Sequence, residues 1–598
     1  MASTEEAKTS PTIVAPLPAI VPHTDDKHSV KENEPKVVEH YGSLQDDTTS
    51  EHNEKYQQGG AQDAEISAAP AGTVVDVEEE EDTSHHIHGI PLILLAFGLC
   101  VTTFLIGLDQ MIIATAIPKI TTQFQSLDDV GWYGSSYLLT TTALQPTFGK
   151  VYTYFNIKFT FIIALAIFEV GSIICAAATG SKMLIVGRAI AGSGAAGLFS
   201  GGMTMVGFAV PLRRRPLYIA ALSSMFGVSS IVGPILGGVF TDQLTWRWCF
   251  WINLPFGAVA ILTTFFFFKN PERDFTNITL KAKLLELDPV GATFLISAIV
   301  CLLLALQWGG LQYPWNDSKV IGCFVGFGVL ITIFITTQIR LGESATIPVR
   351  IFKQRTIRAV ALTLMFMSMG LFVHIYYLPF YFQAVKGTSA EQSGIRVIPY
   401  LVSNTIFAII SGACVTVLGY YTPFIWFGTA LFAIGSGLIY TFQVGTPHAK
   451  WIGYQIMAGG GSGAAIQLPF IAVQVVLSSK EMPTGNAVAI FFNSLGGAIA
   501  ISIATNIFNN ALKKQLPIYA PGIPAETIIQ AGATNIRTFL EDVLKKPEAL
   551  PGVLEAYNKA LTQAYILPIA VAILSFLGSL LFEWKSVKGK KLGMAAPA

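Results

Sequence analysis

From Pro91 onward one element recurs along the chain: an apolar run of about 20 residues closed by a short polar break. A helix rises about 1.5 Å per residue, so each run is long enough to cross a hydrocarbon layer of about 30 Å. In lipid every backbone N–H and C=O must be paired internally, which makes a run of this length a helix. The runs fall near 91–114, 131–151, 159–179, 183–206, 217–240, 249–268, 289–307, 319–338, 358–383, 393–416, 422–443, 451–476, 485–507 and 564–583. Only 13% of residues are charged and 52% are hydrophobic, against about 25% charged in a soluble domain. The reading is an all-α polytopic membrane protein with about fourteen transmembrane helices.

The formal charge of zero conceals a split. Residues 1–88 hold nineteen Asp/Glu and five Lys/Arg, and the rest of the chain has the opposite balance. That acidic, Ser/Thr/Gln-rich segment lacks the apolar content to offset ordering entropy and reads as a disordered cytoplasmic tail. Its end carries His85, His86 and His88, read as a solvated linker rather than a metal site. The six cysteines lie in or beside apolar runs with no C-x-x-C spacing, as small hydrophobes do. Cations gather in alternate loops: Lys150 and Lys158, Arg213–Arg215, Lys269, Arg273, Lys281, Lys283, Arg340, Arg350, Lys353, Arg355, Arg358, Lys480, and Lys585, Lys588, Lys590 and Lys591 in the tail. The positive-inside rule then puts both termini in the cytoplasm.

Helix 4 contains Arg188-Ala-Ile-Ala-Gly192-Ser-Gly194, and 267 residues later helix 12 contains Gln455-Ile-Met-Ala-Gly459-Gly-Gly461. A repeat of about six helices suggests two similar bundles in parallel, with substrate held between them near mid-membrane. The expected plan is a tail (1–88), an N-terminal six-helix bundle (89–268) and inserted helices 7 and 8 with their loops (269–357). A C-terminal six-helix bundle (358–584) with a long outer loop (508–562) follows, then a basic tail (585–598).

Helix 5 reads Gly227-Val-Ser-Ser-Ile-Val-Gly233-Pro234-Ile-Leu-Gly237-Gly238. Gly233 and Gly237 share a face and admit a neighbouring backbone closely, while Pro234 removes one backbone hydrogen bond and permits a bend. The expected use of this seam is as the surface where the two bundles slide. The segment resembles the antiporter motif of the major facilitator superfamily. The stretch from Asp242 through Trp246-Arg247-Trp248 and Trp251 to Gly257 is similar to the signature of its fourteen-helix drug:proton antiporter family. Leu108-Asp109-Gln-Met-Ile-Ile-Ala-Thr-Ala-Ile-Pro118 and Arg188 with Gly192 and Gly194 resemble that family's helix 1 and helix 4 motifs. The overall pattern resembles fungal members that export toxins and other secondary metabolites. One loop departs from the pattern. Between Gly149 and Lys158, the superfamily's usual Asp, Gly and Arg are Thr153, Asn156 and Ile157, so the charge relay of that loop does not carry over.

Ionisable residues at membrane depth are costly and default to functional candidates. Asp109 in helix 1 and Glu169 in helix 3 can load and release a proton. Arg188 stays charged and would hold a carboxylate beside it. A structural ion pair for Arg188 and a buried hydrogen bond for Glu169 are the competing accounts. A substrate cavity would draw on Gln145, His374, Tyr377, Gln383, Gln455 and Gln467, with the aromatic cluster of helix 9.

No phosphate-binding loop, catalytic dyad or nucleophile elbow appears in the membrane body, so no enzyme is expected. The resemblance implies proton-coupled efflux of a hydrophobic or amphipathic small molecule by alternating access. The proton gradient is the energy source and no cofactor or metal is needed. The partners would be a small-molecule substrate and the lipid bilayer, with no nucleic acid, and the chain would act as a monomer in the plasma membrane. An importer or vacuolar transporter of iron chelates or basic amino acids is the alternative, since fold fixes neither direction nor cargo. A non-transporting membrane sensor is the remote one.

Overall fold

The computed structural model describes residues 87–126, 129–271, 279–310 and 313–588. The acidic tail to residue 86, with His85 and His86, lies outside the described residues, as do Arg273, Lys590 and Lys591.

Fourteen helices among the described residues correspond to the fourteen apolar runs. The first six are α1 (Ile90–Phe124), α2 (Val130–Tyr154), α3 (Ile157–Ala176), α4 (Ser181–Ala209), α5 (Arg215–Gln243) and α6 (Asn253–Phe267). The inserted pair is α7 (Pro289–Trp308) and α8 (Ser318–Leu341). The last six are α9 (Arg355–Phe380), α10 (Ala390–Leu418), α11 (Thr422–Tyr440), α12 (His448–Ile466), α13 (Met482–Tyr519) and α14 (Ile566–Ser579). Thirteen of the membrane-length helices are apolar enough to cross a bilayer by composition. The exception is α2, whose Ser-Tyr-Leu-Leu-Thr-Thr-Thr run and Gln145 are tolerated because it is walled in by α4, α7 and α13.

Prolines leave different marks. Pro234 and Pro399 sit inside unbroken helices, whereas after Pro379 the α9 helix ends in a π-turn, Tyr381–Val385. Pro469 follows the break at Gln467, beyond which α12 resumes as Leu468–Val476. The expected loop over 508–562 is largely helical. Here α13 continues to Tyr519, and Ala525–Thr538 and Leu550–Ala564 follow. These last two helices are amphipathic and lay their apolar faces on the C-terminal bundle, a period-3.6 pattern too diluted by polar residues to read as a span.

The repeat is visible in the packing. On α4, a side chain at Gly192 would strike Tyr137 of α2 and one at Gly194 would strike Phe168 of α3. On α12, Gly459 meets Tyr400 of α10 and Gly461 meets Phe432 of α11 in the same way. Thus α2, α3 and α4 correspond to α10, α11 and α12, with small residues letting backbones touch.

Both described ends of the chain lie on one face. Ile87 donates its N–H to Ala209 O, and Ser586 pairs with Tyr420. We call this the near face and the opposite one the far face. The bundles meet through α2–α13 and α5–α10. In the near half they share one hydrophobic core, in which Met203, Met205 and Val206 of α4 pack with Ile466 at the end of α12 and Phe470, Ile471 and Val473 beyond it. In the far half each bundle has a core of its own, one built on Leu108, Ile112, Tyr133 and Phe250, the other on Val373, Tyr381, Phe442 and Leu512. The inserted α7 lays Leu295 and Ile299 between Ala143 of α2 and Phe491 and Leu495 of α13.

Candidate functional site

The far half of the N-terminal bundle contains a buried ion pair. Asp109 on α1 and Arg188 on α4 are 0% and 1% exposed, and the Arg188 Nη1 donates to Asp109 Oδ2. Taking both charges out of water is costly unless every donor and acceptor finds a partner. The site supplies them. Arg188 Nε donates to Tyr133 O at 2.9 Å, and the guanidinium lies over the Tyr137 ring, 4.4 Å from its centroid. Asn253 at the start of α6 donates through Nδ2 to Asp109 Oδ1 at 3.2 Å and to Ser172 Oγ of α3 at 3.1 Å. Gly171, beside Ser172, allows α3 to press on the Ala191 backbone of α4. Five helices therefore converge on one carboxylate.

The sequence reading named Asp109 and Arg188 separately, from depth and from the helix 1 and helix 4 motifs, without pairing them, and gave no role to Asn253, Tyr133, Tyr137 or Ser172. Their signal was weak, since an Asn or Ser in a span is ordinary unless its face is known. Glu169 lies apart from the ion pair, half-buried on the α3–α6 seam, and both its oxygens are buried without a hydrogen-bond partner. It stands where Gly257 of α6 has no side chain, for a Cβ there would collide with Oε1.

The helix 5 glycines divide by role, which corrects the expectation that the whole seam slides between bundles. Gly233 and Gly237 face Met111, Ile112 and Thr115 of α1, inside the N-terminal bundle. Gly227 faces Thr405 and Leu401 of α10 across the bundle boundary, and Gly238 has open space beside it. The reason is helical phase: Gly227 is ten residues from Gly237, a rotation of about 80° from whole turns at 3.6 residues each. Gly149 also sits at the boundary, where a Cβ would come 2.5 Å from Ala487 Cβ and 3.3 Å from Pro483 O of α13. Lys158 does not join it. Its ammonium lies 5.0 Å from the Phe265 ring centroid at the near end of α3 and α6.

Most of the proposed cavity residues pack within bundles. Gln145 is buried against α4, donating to Ala196 O at 3.1 Å and Ser200 Oγ at 2.8 Å. His374 is fully buried among Tyr400, Phe432 and Tyr565. Gln455 donates to Arg396 O at 3.1 Å, and Gln383 to Ser393 Oγ at 2.9 Å. Tyr377 donates to Thr505 Oγ1 at 3.0 Å and lines an aromatic cavity of about 100 Å³ with Tyr376, Phe380, Phe508 and Tyr557. Gln467 alone of these six bonds across the bundles, accepting from the Ser223 hydroxyl of α5. A larger cavity, about 450 Å³, opens at the far face between Leu306 and Trp315 of the inserted pair and Asn506, Asn510 and Lys514 of α13.

On the near face a second buried carboxylate organises the inserted pair. Asp288 accepts from Gly291 N (2.8 Å), Gln338 Nε2 (2.7 Å), Thr346 N (3.0 Å) and Thr346 Oγ1 (2.9 Å). The strap after α8 is held to both bundles. Lys150 of α2 donates to Glu343 O at 3.2 Å, and Arg350 pairs with Glu343 and with Glu481 at the start of α13.

The sequence profile of the Major Facilitator Superfamily matches residues 99–501. The "MFS-type efflux pump MFS1" of Trichophyton rubrum is 48% identical over 521 residues, covering 87% of this chain and 96% of the relative. "Efflux pump roqT" of Penicillium rubens is 46% identical over 83% of this chain and 91% of its own length. The "Aspyridones efflux protein" of Neocamarosporium betae is 44% identical over 93% and 98%. Among solved structures, the human organic anion transporter MFSD10 superposes with a TM-score of 0.52 at 12% identity, over 81% of this chain and all of that one. The proton:xylose symporter XylE superposes at 0.50 and 14% identity, over 80% and 98%, which speaks for the fold alone.

Proposed function

The chain belongs to the major facilitator superfamily, and from that premise we propose that it exports a hydrophobic or amphipathic small molecule in exchange for protons. The observation that carries the coupling is the Asp109–Arg188 pair with its Asn253 partner. It is the one ion pair, among the described residues, with both members essentially inaccessible. A proton arriving on Asp109 cancels its charge and loosens its hold on Arg188, which keeps its bond to Tyr133 O. Chains of such groups in lipid serve as proton relays.

Movement follows from the cores. One near-half core sealing both bundles, with separate far-half cores, suits a conformer closed at the near face. The near face carries Lys150, Arg213–Arg215, Lys480 and Lys585 and on that account is read as cytoplasmic, with both termini inside. The plasma membrane is the location proposed, with the gradient as energy source, no cofactor, no nucleic acid, and a monomer as the working unit. Relatives named as efflux proteins, one of them for aspyridones, favour export over import.

The test is reconstitution in vesicles under an imposed pH gradient, following accumulation of rhodamine 6G. Asp109→Asn is expected to abolish gradient-driven accumulation. Undiminished accumulation would exclude Asp109 as the coupling group. Comparing secreted metabolites of producer cells with and without this chain identifies the cargo.

A further inference from the structure

The ion pair accounts for how Asp109 is held, but not for how its proton leaves. Asp109 is wholly enclosed, and a continuous near-half core lies between the bundles below it. The buried stripe of α6 offers another way. Its buried residues are Asn253, Gly257, Ala260 and Thr264, and each of the three that are not alanine is unusual there. Asn253 bonds both Asp109 and Ser172 and leaves its own Oδ1 without a partner. Gly257 makes room for the Glu169 carboxyl. Thr264, two turns nearer the near face, has a buried Oγ1 without a partner. At the end of the seam Asn270 accepts from Ile157 N at 3.1 Å. Glu169 itself lies three residues from Ser172 on α3, about 4.5 Å along the axis toward the near face.

We propose that Glu169 is the proton's exit from Asp109, so that protons cross through the α3–α6 seam at the bundle's edge while the solute uses the space between the bundles. This rests on the proton-coupled reading above. In the step, the Asp109 O–H bond breaks and its electron pair stays on Asp109, which becomes an anion facing Arg188 again. Ser172 Oγ accepts from Asn253 and the Glu169 oxygens are unpartnered in this conformer, so the Ser172 hydroxyl must turn from Asn253 to take that proton and give its own to a Glu169 oxygen; one O–H forms on Glu169 and the net movement is one proton. Glu169 then releases it toward Thr264 and the near face. The other titratable groups around the seam, among the described residues, are Arg188 on α4, Cys175 on α3 itself, Cys249 before α6, and Lys158 at the near end of α3.

The test compares two rates in the same vesicles holding the full chain: pH-gradient-driven uptake of rhodamine 6G, and its counterflow at equal pH. A residue that only supports the fold lowers both together. A relay lowers their ratio, because counterflow requires no net proton movement. Glu169→Gln is expected to lower the ratio by roughly tenfold or more. Gly257→Ala, which crowds the carboxyl without removing a titratable group, is expected to lower it less. An unchanged ratio in Glu169→Gln overturns the proposal. If the native chain shows no gradient-driven uptake at all, the coupled reading of this dye fails instead, and infrared spectroscopy decides the relay separately. Acidification of purified protein should then raise a protonated-carboxyl band that Glu169→Gln lacks, and its persistence in that variant also overturns the proposal.

Discussion

Gly149 is the position where one added methyl group tests whether the near face opens. Its missing side chain faces the other bundle. A Cβ would lie 2.5 Å from Ala487 Cβ, 3.2 Å from Thr484 Cα and 3.3 Å from Pro483 O, where carbon atoms rest at about 3.5–4.0 Å. Two of the three neighbours are backbone atoms at the start of α13, so rotamer changes cannot relieve the overlap. Overpacking of this kind costs about 1–3 kcal/mol. Because all three neighbours belong to the opposite bundle, the cost falls on the closed near face and not on a state in which α2 and α13 separate. At tenfold per 1.4 kcal/mol, Gly149→Ala should shift the closed-to-open ratio by roughly 5- to 150-fold. The reporter is Met482→Cys in a chain whose six cysteines are replaced. Met482 is 3% exposed, packed against Gly207 of α4. Its maleimide labelling should accelerate at least about fivefold, the lower end of that range. Gly180→Ala, with nothing within 4 Å, is the control and should change nothing. If Gly149→Ala lowers thermal stability while labelling stays at the control rate, the strain is absorbed inside the closed state. The reasoning about this boundary is then wrong.

Removing Asp109 as Asn also leaves Arg188 buried and uncompensated, which should cost about 3–5 kcal/mol; thermal unfolding in detergent checks it, and pairing the change with Arg188→Gln should restore part of the loss. Asp288→Ala strands donors from Gly291, Gln338 and Thr346, and loss of about 2–4 kcal/mol is expected, read as faster proteolysis within residues 342–354. His374→Phe keeps the ring contacts with Tyr400, Phe432 and Tyr565, so transport should survive and stability should shift by about 1 kcal/mol or less; lost coupling would give this histidine a role in proton handling. Partial desolvation pushes the Glu481 carboxyl up, but bonds from the Ser478 hydroxyl and Arg350 outweigh it and hold it below its ordinary 4.5. A depressed carboxylate stabilises the fold above that value and loses its contribution as pH falls through it. Near-face opening, read as a spin-label distance between α2 and α13, should therefore rise as pH falls below the ordinary carboxylate range, and Arg350→Ala should flatten that response.

The helix count was legible because each apolar run is long against the bilayer, and thickness is a coarse, forgiving ruler. The polar α2 was legible too, since its length survived its Thr-rich stretch. What sequence could not give was azimuth. Gly227, Gly233 and Gly237 look alike in a row, yet the first touches another bundle and the others touch α1. The same ignorance of facing left undecided what Gln145 and Gln455 point at; their amides bond neighbouring helices. Asn253 shows the converse. It falls inside the Asp242–Gly257 signature stretch, but that stretch assigns it no role, and only the convergence of α1, α3 and α6 makes it the partner of Asp109. The helices after Tyr519 were missed because amphipathic patterns with charged faces do not register on a scale set for lipid.

The wedge made by α7 has a consequence for traffic in the plane of the membrane. By filling the cleft between α2 and α13 it walls off one flank of the molecule, and α8, only 11% buried over its apolar window, turns that flank into plain greasy siding. Among the described residues the α5–α10 flank has no such cladding. A solute dissolved among acyl chains therefore meets a blank side and a seamed side, and a two-bundle machine that is nearly twofold symmetric inside becomes one-sided toward the lipid around it.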